Sequence, residues 1–150
     1  MCLDKTNLRS ALEEDFPAIR ALIRTVGINP TGLDWRRFVV AVTPNGKVTG
    51  CGQVKPHSDG SRELASIAVR PAFRRQRIAQ AIIERILAEN PPPLYLICRN
   101  GLGSFYERFG FRAVRENEMS LYFRRLLRVA KLFGKINLLV MLRKRDYNPV

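Results

Sequence analysis

The stretch from Glu63 to Glu89 constrains the fold of this chain more than any other, because its hydrophobic period changes midway. Glu63–Val69 is strand-like, whereas Arg74–Glu89 puts Ile78, Ala81, Ile82, Ile86 and Leu87 on one side of a helix stopped by Asn90 and Pro91–Pro93. The join holds Pro71 and a basic cluster, Arg74, Arg75 and Arg77. The first turn of a helix presents unpaired backbone N–H groups and the positive end of its dipole. A strand, a turn, a basic cluster and a helix in this order therefore make a site for an anion such as a diphosphate.

The flanking sequence builds outward from this join. Leu8–Ala11 reads as a short strand, and Glu13, Glu14 and Asp15 precede Phe16, Pro17, Ile19, Leu22 and Ile23 at helical spacing, a first helix broken by Gly27 and Pro30. Leu33–Arg37 suits a short helical turn. Phe38–Thr43 and Lys47–Lys55 flank Pro44, Asn45 and Gly46, and the Asn-Gly pair marks a hairpin. With Glu63–Val69 beyond the loop Pro56–Ser61, three consecutive antiparallel strands precede the Arg74–Glu89 helix. Downstream, Leu94–Cys98 has the apolar content of a buried strand, Gly103–Arg108 reads as a helix ended by Gly110, and Phe111–Val114 is extended.

Asn117 is placed to cap a helix over Glu118–Phe133 (118–133), with Met119, Tyr122, Phe123, Leu126, Leu127, Ala130 and Phe133 on one face and Arg124, Arg128, Lys131 and Lys135 on the other. Ile136–Arg143 (136–143) is a final strand candidate. The expected fold is one α/β (α+β) domain over residues 1–150, a mixed, mostly antiparallel sheet flanked by helices.

Composition narrows the function classes. At 150 residues, 46% hydrophobic and 26% charged, the chain has the makings of one globular domain, and no apolar run approaches the roughly 20 residues of a membrane span. The first residues lack the pattern of a secretory signal, which places the expected location in the cytoplasm. Cys2, Cys51 and Cys98 include no CxxC pair, so neither a disulfide framework nor a metal site is expected, and Cys51 and Cys98 read as packing residues. The net charge of +13 is unevenly spread: residues 1–69 carry 9 basic and 7 acidic side chains, residues 70–150 carry 17 and 6. Polyanionic partners follow from that excess, whether cofactor phosphates, nucleic acid or an anionic membrane surface.

Two segments carry a resemblance. Val69-Arg-Pro-Ala-Phe-Arg-Arg-Gln-Arg-Ile-Ala79 resembles the cofactor-binding motif of GNAT N-acetyltransferases, whose core runs Arg/Gln-x-x-Gly-x-Gly/Ala, and Ser104-Phe-Tyr-Glu-Arg-Phe-Gly-Phe111 resembles the Tyr-Glu-x-x-Gly-Phe segment of the same family. Together with the order of elements the likeness spans roughly residues 7–115. It implies acetyl-CoA as cofactor, with the pyrophosphate held by the backbone amides of Arg74, Arg75, Gln76, Arg77, Ile78 and Ala79, the pantetheine arm against Ile67, Ala68 and Val69, and a further contact from Asn100. Arg77 stands where the family usually has its inner glycine, and glycine there lets the backbone approach the phosphates closely.

The resemblance also implies chemistry. Tyr106 takes the role of general acid toward the leaving thiolate, and Phe109 and Phe111 are core aromatics around the turn. The attacking amine must be neutral, so a base is expected, and Glu63, six residues before Val69, is the candidate. His57, the sole histidine, sits among Pro, Ser, Asp and Gly and reads as a surface residue. No covalent nucleophile is needed, because a strand-end amide polarises the thioester carbonyl. The expected activity is acetyl transfer to a primary amine of a small molecule or protein, with a homodimer left open. The helix at 118–133 is expected to pack on the domain, its basic face bordering an acidic acceptor; lying on an anionic membrane is its other reading. A nucleic-acid-binding basic module and a catalytically silent CoA-binding scaffold are the alternatives.

Overall fold

A computed structural model describes residues 7–135 and 137–145. Two compact units are distinguished. The first comprises the described residues up to Lys55 together with Leu64–Asn90, and the second comprises Pro56–Glu63 and the described residues from Pro91 onward.

In the first unit the strands β1 (Asn7–Ser10), β2 (Phe38–Val42), β3 (Val48–Pro56) and β4 (Arg62–Val69) are neighbours in that order, with the helices α1 (Phe16–Val26) and α2 (Ile78–Glu89). β1 and β2 run antiparallel with Leu8 opposite Ala41, and β2 and β3 antiparallel with Val40 opposite Cys51. The predicted hairpin is present: Gly46 N–H donates to Thr43 O at 2.9 Å and Thr43 N–H to Lys47 O at 2.9 Å.

Every residue of β2 is buried, as a strand covered on both faces must be. One face packs Val40, Val42 and Cys51 against Ile19, Leu22 and Ile23 of α1. On the other, Val39 and Ala41 lie opposite Gly52 and Gly50. These two glycines let α2 approach closely. A Cβ on Gly52 would lie 2.6 Å from Ile67 Cδ1 and 2.9 Å from Ile82 Cγ2, and one on Gly50 would lie 2.9 Å from Ile78 Cγ2. The side of α2 predicted to be apolar is thus seated directly on β3, which fixes where its N-terminus points.

In the second unit β5 (Leu94–Arg99) pairs in parallel with the start of β4, Glu63 opposite Tyr95, and antiparallel with β7 (Leu138–Arg143), which pairs with β6 (Arg112–Ala113). The short helix α3 (Gly103–Glu107) and α4 (Leu121–Leu132) complete it. Alternation along β5 gives two faces. Tyr95 joins Val140, Leu142, Met119 and Phe123, with Ile97 and Leu127 packed alongside, which seats α4 on that face. Leu94, Leu96 and Cys98 project to the opposite face, where Cys98 Sγ approaches Met141 Sδ at 4.0 Å. The sheet is mixed and mostly antiparallel, as expected from the sequence.

Most element ends shift by a residue or two from the sequence-based expectation, and two helix starts shift by more. The helix expected from Arg74 begins at Ile78, because Arg75 (φ 66°) and Arg77 (φ 59°) take left-handed backbone conformations that cannot continue a right-handed helix. The helix expected over Glu118–Phe133 begins at Leu121. Glu116–Glu118 forms a separate 3₁₀ turn, so Asn117 does not cap it. Of the expected apolar stripe, Phe123 is fully buried but Phe133 is 78% exposed, because the helix ends one residue earlier and the stripe no longer faces the sheet there. Part of the stripe packs, in line with a helix seated on the unit. Of the expected last strand, Ile136 lies outside the described residues.

Candidate functional site

In the first unit the end of β4 is pinned before the basic loop begins. Arg70 N–H donates to Thr49 O at 2.8 Å, and its side-chain Nε donates to Val48 O at 2.6 Å. Pro71–Phe73 then makes one 3₁₀ turn, closed by Phe73 N–H to Arg70 O at 2.8 Å. Arg74 is extended, and Arg75 and Arg77 are left-handed. The first helical bond of α2 runs from Ala81 N–H to Arg77 O at 3.0 Å, and no side chain caps the helix. The amides of Ile78, Ala79 and Gln80 therefore have no acceptor within the helix.

Left-handed residues in a loop aim successive N–H groups into one concavity, which with a helix dipole suits a phosphate. Arg74, Arg75, Gln76 and Arg77 are exposed around it, and Ile78 anchors the helix in the core. The donor set fits a diphosphate. Ser66 (φ 60°) is left-handed within β4, the backbone geometry of a bulge, and its Oγ accepts a hydrogen bond from Gln53 Nε2 at 2.9 Å. Past it, Ala68 is buried in the core while Ile67 and Val69 are half-buried.

In the second unit α3 carries Tyr106. Its ring meets Phe105 edge-on at 5.1 Å and Phe111 at 6.4 Å, and burial, with the nearby Cys98 thiol, pushes its phenol up to about 12. Such a phenol keeps its proton throughout the physiological range. Phe109 and Phe111 are buried, as expected of core aromatics. Asn100 is exposed, with its N–H donating to Asn137 O at 3.1 Å.

Glu63 lies on the Tyr95 side of β5. Its Oε1 is 2.8 Å from His57 Nε2, and the two side chains are only 12% and 9% exposed. The imidazole is stacked on Tyr122 at 3.6 Å with an interplanar angle of 13°, and meets the edge of Phe123 at 5.5 Å. Asp59 anchors this hairpin to α4: its Oδ2 accepts the Tyr122 N–H at 2.9 Å and its Oδ1 the Ser61 N–H at 2.9 Å. Partial desolvation opposes ionisation of Asp59, but the bonds from Ser61 and Tyr122 outweigh it and hold the carboxyl below the usual carboxylate range. Burial, helped by Glu63 and Asp59, raises the Tyr122 phenol.

The family model of the acetyltransferase (GNAT) domain matches residues 34–113, more than half of the chain. The chain belongs to the GNAT acetyltransferase family. Among solved GNAT-like structures, N-acetylglutamate synthase from Neisseria gonorrhoeae, complexed with coenzyme A and N-acetyl-glutamate, superposes with a TM-score of 0.76 at 20% identity over 95% of this chain. This chain spans 35% of that protein's length. Rv2747 from Mycobacterium tuberculosis, in complex with CoA and NLQ, gives 0.70 at 24% identity, with 95% of this chain and 99% of that one covered. ElaA from Escherichia coli gives 0.66 at 16% identity, covering 93% and 99%. These likenesses concern the fold. Comparison with curated protein sequences gives no match.

Two findings sharpen the reading of this GNAT domain. Arg77, which replaces the family's usual inner glycine, occupies a left-handed backbone position, the conformation in which glycine carries no steric penalty. His57 is a correction. It is not a surface histidine but a nearly covered partner of Glu63, because Tyr122 and Phe123 of α4 close over its ring. Sequence reasoning missed Asp59 and Tyr122 as well. The one available signal was the Ser-Asp-Gly turn, which closes the hairpin through His57 N–H to Ser61 O at 2.9 Å and turns the histidine back toward β4. Cys51 and Cys98 are buried, and burial pushes the Cys51 thiol up to about 12, so both remain packing groups.

Proposed function

We propose that this GNAT domain transfers an acetyl group from acetyl-CoA to a primary amine by direct attack. Acetyl-CoA supplies an activated acyl group, whose C–S bond breaks as the amine nitrogen forms the C–N bond. The loop Arg74–Ala79 would hold the diphosphate through its amides, and Ile67, Ala68 and Val69 the pantetheine arm, with Asn100 as a further contact. Support comes from the uncapped α2 N-terminus, the left-handed Arg75 and Arg77, and the CoA carried by solved relatives.

The observation that supports the catalytic reading is a nearly covered Glu63 carboxylate 2.8 Å from His57, together with a buried Tyr106 phenol that keeps its proton. Glu63 lies with Tyr95 and α4, whereas Tyr106 lies with Cys98 and Phe111. Glu63 would take a proton from the incoming ammonium, and Tyr106, whose burial keeps it protonated throughout the physiological range, would give one to the departing thiolate. The α4 arginines favour an anionic acceptor, and the N-acetyl-glutamate bound to the gonococcal relative is an amine acetylated on such a molecule. Membership of the family does not favour the nucleic-acid or silent-scaffold readings.

Tyr106→Phe tests the acid. It should lower kcat on the order of 10²-fold, the lower end of general acid contributions, with the acetyl-CoA dissociation constant unchanged. Unaltered kcat would remove Tyr106 from the mechanism.

A further inference from the structure

We propose that His57 and Glu63 act as one proton-accepting unit, in which Glu63 meets the acceptor ammonium and His57 takes up the proton and passes it to solvent. This rests on Glu63 being the base.

Geometry supports a proton path rather than a mere packing contact. The Nε2–Oε1 separation of 2.8 Å is a hydrogen bond, and Glu63 is fixed in the sheet by its pairing opposite Tyr95. The ring cannot swing away. Tyr122 covers one face and Phe123 an edge, while Asp59 ties the hairpin to the first turn of α4. The His57 side chain keeps 9% of its surface exposed, and that opening is the route by which a proton would leave to solvent. The titratable groups around the ring are Glu63 and Asp59 of its own hairpin, Tyr122 of α4 and, beyond Phe123, Tyr95 of β5.

The chemistry gives His57 a task. A base works best when its own affinity for protons lies near the operating pH, and an imidazole ordinarily meets that condition where a carboxylate does not. A primary ammonium carries three N–H protons, of which the amide keeps one. One goes to Glu63 and out through His57 before the nitrogen lone pair attacks the carbonyl carbon. Tyr106 gives its proton to sulfur as the C–S bond breaks and is restored by the last one from nitrogen, leaving free thiol and one proton released to solvent per turnover.

The test uses the fact that the chain has one histidine, so a single imidazole signal is followed by NMR without assignment. In the wild-type protein without acetyl-CoA, that signal should titrate together with the acid limb of the kcat/KM profile, which reports the free enzyme. In His57→Phe, which keeps a stacking ring but no exchangeable proton, the acid limb should move down toward the carboxylate range and turnover should fall. Glu63→Gln should abolish most turnover and displace the imidazole titration. Non-coincidence of the two wild-type titrations, or full turnover with an unmoved acid limb in His57→Phe, overturns the proposal even if Glu63→Gln is inactive. Full turnover in Glu63→Gln overturns the reading of Glu63 as base. Should either variant fail to fold, the wild-type comparison alone decides.

Discussion

Arg77→Gly probes the cofactor loop where this chain departs from its family. Arg77 is exposed, sits at φ 59° and ψ 24°, and makes no side-chain hydrogen bond or ion pair among the described residues. A left-handed conformation costs an L-residue about 1–2 kcal/mol that glycine does not incur. Glycine in turn loses about 0.5–1 kcal/mol more conformational entropy on folding. The net gain is then about 0–1.5 kcal/mol, centred on about 0.75, which for a domain of this size raises Tm by about 2–3 °C at the centre of that range.

Arg77→Ala is the matched control, because it removes the same charge and keeps the backbone penalty. Differential scanning calorimetry should show Arg77→Gly above wild type and Arg77→Ala close to it. Isothermal titration with coenzyme A should show binding by Arg77→Gly retained or tightened, because the proposed diphosphate contact is made by the amides rather than by the side chain. A fall in Tm for Arg77→Gly would refute the backbone argument. Binding lost in both variants would transfer the phosphate contact to the guanidinium.

Further expectations follow from packing and ionisation. Gly52→Ala forces a Cβ against Ile67, Ile82 and Ile86, and overpacking of this kind should cost about 1–3 kcal/mol in urea denaturation; an unchanged midpoint would mean that α2 is not seated on β3. Asp15 accepts bonds from Arg9 Nη1 at 2.7 Å and from Leu12 N–H at 2.7 Å, and its carboxyl lies below its ordinary range, chiefly through Arg9. Its stabilisation is therefore present above the ordinary carboxylate range and lost as pH falls through the depressed value. Asp15→Asn should cost about 1–2 kcal/mol at pH 7 and nothing at strongly acid pH, and a pH-independent deficit would contradict this. The raised Tyr106 phenol, at about 12, predicts a late-ionising tyrosine, in addition to the raised Tyr122, whose share of an alkaline absorbance titration disappears in Tyr106→Phe.

The sequence showed what depends on local pattern. The β-forming residues of Phe38–Val42 and the Asn45-Gly46 turn placed β2 and β3, and the isoleucine spacing identified the buried side of α2. The start of α2 was hidden because it depends on two arginines adopting left-handed backbone, which nothing in their chemistry announces. Asp59 accepts the Tyr122 amide from 63 positions away, so the cap of α4 could not be sought near Asn117. The same separation concealed His57, whose burial comes from Tyr122 and Phe123 rather than from its own polar loop. Glu63 and Tyr106 were identifiable only through the family resemblance. Their placement on opposite faces of β5 required the strand register.

The central claim is acetyl transfer from acetyl-CoA, and the most direct measurement is calorimetric titration with acetyl-CoA followed by thiol release across a panel of amines and amino-group peptides. The account predicts one binding event per chain and release of one thiol per acetylated amine, identified by a mass gain of one acetyl group on the acceptor. Binding without thiol release from any amine, or no binding together with salt-sensitive association with nucleic acid, would contradict it.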